Sequence, residues 1–155
     1  MGSVDDRLAE LGLTLPEVAA PVASYVPAVR SGDLVWTSGQ LPMVSGSLAE
    51  TGKVGEGEGL VPPDRAKELA RTCALNALAA VRAEVGDLDS VRVVKVVGFV
   101  ASDPSFTGQP GVVNGASDLL ADVLGQSGVH ARSAVGVAVL PLDAPVEVEI
   151  VFRVG

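Results

Sequence analysis

Aromatic residues are scarce in this chain: one Trp, one Tyr and three Phe in 155 residues. So few rings offer little to stack nucleobases on, and a hydrophobic content of 48% has to be met with Val, Ala and Leu. Basic residues are few as well. Eleven Lys and Arg stand against nineteen Asp and Glu, giving a net charge of −8 and a pI near 4.5, so no diffuse basic surface is available for phosphate backbones. Cys73 is the one cysteine, which excludes an intrachain disulfide and a thiolate metal site. No apolar run reaches the roughly eighteen residues of a membrane span, and no charged segment leads into a short apolar one as in a secretory signal. These absences describe a soluble cytoplasmic protein with neither nucleic acid nor membrane as partner.

Small and turn-forming residues are plentiful. Eighteen glycines and ten prolines, at a positive mean hydropathy of +0.41, indicate a compact, turn-rich α/β chain and argue against disorder. The length fits one domain over residues 1–155, with an N-terminal helix and arm over 1–22. Val4, Leu8 and Leu11 have helical spacing, Asp5 and Asp6 suit a first turn, and Gly12 ends the pattern; Pro16 and Pro21 then make an extended arm. Tyr25–Val29 and Leu34–Ser38 read as strands around a turn at 30–33. In Thr37-Ser38-Gly39-Gln40-Leu41-Pro42 a glycine at a strand end lets a ligand approach the backbone, with Gln40 bracing the loop. Residues 43–63 read as a mobile loop or lid. Their alternating glycines lack the Gly-Lys-Ser/Thr of a phosphate loop and carry glutamates instead.

Pro63 to Val85 forms the main helix, closed by Gly86. Its stripe Leu69, Cys73, Ala77, Ala80, Val81 and Val85 makes Cys73 a buried structural thiol. Val91–Val100 is a strand and Gln109–Leu124 a second helix, followed by strands over Ser133–Leu140 and Val146–Val154. The order strand, strand, helix, strand, helix, strand, strand gives an α+β fold, a mixed sheet with two main helices on one face.

The last two strands read as a β-hairpin centred near Asp143. Ala134, Gly136, Ala138 and Leu140 then share a face with Val146, Val148, Ile150 and Phe152 beneath the helices. The opposite face carries Val135, Val137, Val139 and Val151 beside Glu147 and Glu149, an apolar strip with carboxylates that suits a subunit interface. In that register Arg132 and Glu147 lie roughly 23 Å apart along the strands, so a site using both would have to be built between subunits. Arg132 presents a planar, permanently charged fork suited to a carboxylate; its plainer role is a surface ion pair. A carboxylate at Glu147 could place a water, or simply bridge subunits. Taken alone, Tyr25 is a packed strand aromatic and His130 a solvated loop histidine.

The block ARSAVGVAVLPLDAPVEVE, taken in order with YVPAV at Tyr25, TSGQLP at Thr37–Pro42 and VVNGA at Val112–Ala116, resembles the Rid (reactive intermediate deaminase) family, also called YjgF or L-PSP endoribonuclease, in a longer branch of about 155 residues. The resemblance runs from about Tyr25 to the end of the chain. It implies the chorismate-mutase-like fold, a homotrimer with pockets at subunit contacts, and hydrolysis of 2-imino acids to 2-keto acids and ammonia without a cofactor or metal. It assigns the substrate carboxylate to Arg132, placement of the attacking water to Glu147, and pocket positions to Tyr25, Ser38, Gly39 and Asn114. At Ala134, where well-studied deaminases often carry cysteine, only the backbone is left to contact substrate. Two other readings use the same residues or the family's older name. One is a non-catalytic trimer that binds small carboxylate metabolites through Arg132. The other, RNA cleavage, conflicts with the charge and finds no paired histidines, and ranks last.

Overall fold

The computed structural model of the chain describes residues 2–18 and 23–155. Among them, helix α1 (Val4–Glu10) opens the chain, followed by strands β1 (Ala28–Ser31), β2 (Leu34–Thr37), β3 (Met43–Val44) and β4 (Ser47–Leu48), helix α2 (Pro63–Val85), strand β5 (Val91–Ala101), helix α3 (Gln109–Leu124), and strands β6 (Ala131–Val137) and β7 (Val146–Val154). Five strands form one mixed sheet in the order β1-β2-β7-β5-β6, and β3 and β4 form a separate two-stranded ribbon.

Each helix has a local cause. In α1 the Ser3 side chain accepts from the Asp6 N–H while the Asp6 carboxylate takes the Ser3 N–H, a reciprocal cap. Arg82 ties the helix to α2 with a two-pronged ion pair to Asp5 at 2.6 and 3.0 Å. Helix α2 starts on Pro63 and ends at Gly86 with φ of 89°, so both boundaries fall where proline and glycine put them. The extended arm falls partly on residues 19–22, outside the described residues.

Both main helices lie on one face of the sheet. There the buried Val35, Val93, Val96, Val100, Val146, Val148, Ile150 and Phe152 meet Leu69, Leu78, Val81, Val113, Leu119 and Leu120. Cys73 is fully buried in this layer, its Sγ 3.8 Å from the Val146 carbonyl oxygen; burial, with the Glu147 charge adding to it, holds the thiol protonated well above its ordinary range. The helices cross closely because residue 115 is glycine. A Cβ there would run into the main-chain carbonyl oxygen of Lys67 on α2.

Three expectations from the sequence need correcting. The last two strands are not a hairpin: β6 pairs in parallel with β5, and β7 pairs antiparallel with the other side of β5. The unit β5-α3-β6 makes a parallel crossover, and only then does the chain return as the central strand β7 between β5 and β2. Residues 43–63 are not a mobile lid. Val54 is fully buried and pairs with both Val61 and Ser102, its N–H donates to the Ala101 carbonyl, and its carbonyl accepts from Asp103; the apolar residues among the glycines tie the segment to the end of β5. Tyr25 precedes the first strand, which begins only at Ala28 after Pro27.

The contact at residue 115 leads to a paired expectation. Gly115→Ala gains about 1 kcal/mol of helix propensity but meets unyielding backbone, costing about 1–3 kcal/mol, and should lower Tm. At Gly111 on the same helix a Cβ meets nothing within 4 Å, so Gly111→Ala should leave Tm unchanged or raise it by a few degrees. Thermal melts of both variants provide the comparison; equal shifts would contradict the account of the α2–α3 crossing.

Candidate functional site

Arg132 lies second in edge strand β6, level with Val96 of β5, so its side chain is on the helix-covered face beside Ala134, which is level with Gly98. That face brings it to α3. Its Nη1 donates to Asn114 Oδ1 at 2.8 Å and to Ser117 Oγ at 3.1 Å, and its Nη2 donates to the Pro110 carbonyl at 3.2 Å. All three acceptors are uncharged. Among the described residues no carboxylate lies within ion-pair distance of this guanidinium, as is also true of Arg30, Lys53, Arg92 and Lys95, whereas Arg7, Lys67, Arg71, Arg82 and Arg153 each have one and Arg65 has two. Three of five N–H groups are engaged, leaving Nε–H and one Nη2–H. Donors on two adjacent nitrogens are what a bidentate carboxylate requires.

His130 precedes Arg132 by two residues. Its Nδ1 is 2.6 Å from the Gly128 carbonyl oxygen and its Nε2 is 2.9 Å from Ser117 Oγ. The expectation of a solvated loop histidine is therefore corrected, because both ring nitrogens have protein partners. Sequence reasoning missed Ser117 and the Pro110 carbonyl as well. Strand parity aligns residues 130, 132 and 134, and residues 114 and 117 stack on one helix face, so a pattern search over these two elements would have found the cluster.

The other expected residues gather elsewhere. Ser38 follows β2; its Oγ donates to the Val26 carbonyl at 2.6 Å and its N–H to the Pro27 carbonyl at 2.8 Å, which holds the segment next to the exposed Tyr25 along the end of β2. Gln40 exchanges main-chain hydrogen bonds of 2.8 and 3.0 Å with Val148, and its side-chain amide donates to the Ser38 carbonyl at 3.1 Å. Between them, the Glu147 carboxylate fills the space that a Cβ at residue 39 would need, so Gly39 admits this side chain. Glu147 is half-buried beside Phe99, its neighbour on β5. Burial pushes its carboxyl above the ordinary glutamate range, and the Glu149 charge adds to the rise.

Arg132 and Glu147 do not converge. They belong to β6 and β7, two strand spacings apart with β5 between, and are offset by the three residues from Val96 to Phe99, roughly 14 Å in sheet geometry. This replaces the 23 Å that the hairpin reading gave. Their side chains also leave opposite faces, since Arg132 shares its face with buried Val96 and Glu147 points away from buried Val146 and Val148. No helix among the described residues covers the Glu147 face, where Val29, Trp36 and Val135 are 54%, 52% and 43% exposed. A groove of about 670 Å³ between α1 and the end of α3 is lined by Ser3, Arg7, Glu10, Asp89 and Asp122 and by none of the residues above. One chain thus holds two separate polar clusters, a cationic one at β6-α3 and a carboxylate one at β2-β7.

Known proteins share this architecture. Protein TCP17 of Trypanosoma cruzi is 47% identical over 156 residues, covering 99% of this chain and 96% of that one. The crystal structure of the protein Atu1372 with unknown function from Agrobacterium tumefaciens has a TM-score of 0.87 at 47% identity, covering 98% and 92% of the two chains. A "putative endoribonuclease" from Shewanella oneidensis MR-1 has a TM-score of 0.93 at 30% identity, covering 99% and 100%. The model of the family described as "YjgF/chorismate_mutase-like, putative endoribonuclease" matches residues 5–153, and with the mixed sheet and its one-sided helices the chain belongs to that family.

Proposed function

We propose that the protein hydrolyses reactive 2-imino acids to 2-keto acids and ammonia at sites shared between neighbouring copies in a homotrimer. The observation that carries this reading is Arg132, a partly buried guanidinium held by three neutral acceptors with two N–H groups to spare. Such a group recognises an incoming carboxylate that no resident carboxylate displaces. The carbon next to that carboxylate is then fixed in place, and orientation supplies most of the rate. Water oxygen adds to the imine carbon, both water protons pass to the nitrogen, the C=O bond forms as the C–N bond breaks, and nitrogen leaves as ammonia. Glu147, half-buried beside Gly39, is the carboxylate suited to accept the water proton from the neighbouring copy, with Tyr25, Ser38 and the Ala134 backbone lining the pocket beside Asn114. Packing the uncovered face of one copy against the β6 edge of the next would bury Trp36 and Val29 and bring the Glu147 cluster of one chain to the Arg132 cluster of another. An imine carbon is already electrophilic, so this chemistry calls on no metal or cofactor.

The alternative, a trimer that only binds carboxylate metabolites, would use Arg132 in the same way, so turnover must separate the two. In a coupled assay an amino-acid oxidase produces 2-iminobutanoate and semicarbazide traps it. The wild-type protein should suppress semicarbazone formation, and Arg132→Ala should lower kcat/KM by roughly 10²-fold, the loss of two charge-assisted hydrogen bonds. If the trap signal is unchanged over a panel of imino acids while 2-ketobutyrate still binds, the binding reading replaces the catalytic one.

Site sharing is tested by complementation. Arg132→Ala and Glu147→Gln are each expected to be nearly inactive alone. Co-expressed, every mixed trimer rebuilds one site of three from the intact halves of two chains, so activity should return toward about a third of wild type in that fraction. Failure to complement, with mixed trimers verified by mass, would overturn the shared site.

The raised carboxyl of Glu147 sets a pH dependence. The folded carboxyl keeps its proton to higher pH than the unfolded one, so between the two pKa values the folded state binds more protons, and stability falls as pH rises through that window. Glu147→Gln should melt no lower than wild type above the window and converge with it below the ordinary glutamate range. A carboxylate base acts only when ionised, so wild-type kcat/KM should rise with pH through the same window while the variant's stays flat. A flat wild-type profile would remove Glu147 from the proton-transfer step.

A further inference from the structure

The hydrogen bonds behind Arg132 have a fixed direction. The Gly128 carbonyl can only accept, so His130 Nδ1, 2.6 Å away, carries the ring proton. In the neutral ring Nε2 is then a bare lone pair, and at 2.9 Å it must accept from the Ser117 hydroxyl. With its proton turned to His130, Ser117 Oγ presents lone pairs to Arg132 Nη1 at 3.1 Å. Asn114 Oδ1 takes the second Nη1 proton and the Pro110 carbonyl fixes Nη2. A serine in a helix normally turns its hydroxyl back to a carbonyl of the preceding turn. His130 offers a better acceptor on the β6 side and draws Oγ off the helix toward the guanidinium.

We propose that His130 is a positioning residue for Arg132, acting through the Ser117 hydroxyl to set the plane of the guanidinium and so aim its two remaining N–H groups at the substrate carboxylate. The role in substrate binding rests on the reading of Arg132 given above; the ordering of the guanidinium does not. His130 touches no reacting atom, so its loss should weaken binding and spare the chemical step.

The test uses the full-length protein with His130→Phe, which fills the space without an acceptor, His130→Gln, whose side-chain oxygen can stand where Nε2 does, and Ser117→Ala, which breaks the relay with the histidine intact. Two readouts are taken: rotation of the Arg132 guanidinium by side-chain 15N NMR without ligand, and KM and kcat for 2-iminobutanoate alongside Kd for 2-ketobutyrate. His130→Phe and Ser117→Ala should each speed the rotation and raise KM and Kd about 3- to 10-fold, one hydrogen bond's worth, with kcat within about twofold. His130→Gln should restore both. Because the histidine acts through the serine, the double variant should be no worse than either single one. Unchanged rotation in both single variants, additive losses, or no rescue by glutamine would overturn the proposal. If rotation responds as expected but Arg132→Ala binds 2-ketobutyrate like wild type, the positioning role stands and the carboxylate reading of Arg132 fails.

Discussion

Helices cover the sheet on one face only, and strand β5 lies between β6 and β7. The location of every candidate group follows from these two facts. A residue of β6 with the parity of Val96 is turned toward α3, where Asn114, Ser117 and the Pro110 carbonyl are in reach. A residue of β7 with the parity of Glu147 is turned to the uncovered face and shares it with Phe99, Glu149 and Val151. No side-chain rotation brings the two together, because the apolar sheet stands between them. A one-sided sheet also leaves an apolar surface that water penalises, and a different surface of another copy is one way to cover it. The geometry that divides the candidate site within a chain is therefore also a reason for chains to associate.

Much of this was legible in the sequence. Both main helices end where proline and glycine mark them, and the alternation of Val146–Val154 assigned each side chain to its correct face. Strand order was harder to read. The turn signals of Pro141, Asp143 and Pro145 favoured a hairpin, yet strand-helix-strand over β5, α3 and β6 is the arrangement that sets two strands parallel and adjacent, and pairing of β6 with β5 took precedence over the local turn. Up to Val137, where β6 ends and leaves the expected strand residues Ala138, Val139 and Leu140 outside it, face assignment survived the error because parity within a strand does not depend on its neighbour; distance did not survive, because it does. The reading of residues 43–63 failed for a related reason. Glycine spacing suggested mobility, while Val54 among the glycines had no partner visible in sequence and found two, Val61 and Ser102 just past β5. His130 was passed over because its partner lies thirteen residues earlier on another element.

The acidic balance of the chain sharpens what Arg132 can do. With nineteen carboxylates against eleven basic side chains, five of the eight arginines among the described residues find an acid, Arg65 twice and Arg153 with Asp33, while Arg30 and Arg92, which do not, lack the set of neutral acceptors that Arg132 has. Arg132 is kept from that outcome by geometry. Asn114, Ser117 and the Pro110 carbonyl satisfy three donors with dipoles, which fix orientation without neutralising charge. The charge remains to attract an anion, and two donors remain to bind it. A carboxylate in place of Asn114 would hold the guanidinium as firmly but cancel its charge, so neutral acceptors suit the proposed binding of an anion better than they suit stability. The same balance costs something at long range, since a surface of net charge −8 repels a small anion on approach. Beyond a Debye length of about 8 Å that repulsion is largely screened at physiological salt, whereas hydrogen-bonding contacts to a half-buried guanidinium are screened much less. Local arrangement around Arg132 thus outweighs the overall charge of the protein, and the acceptors that hold the guanidinium in place matter as much as the arginine itself.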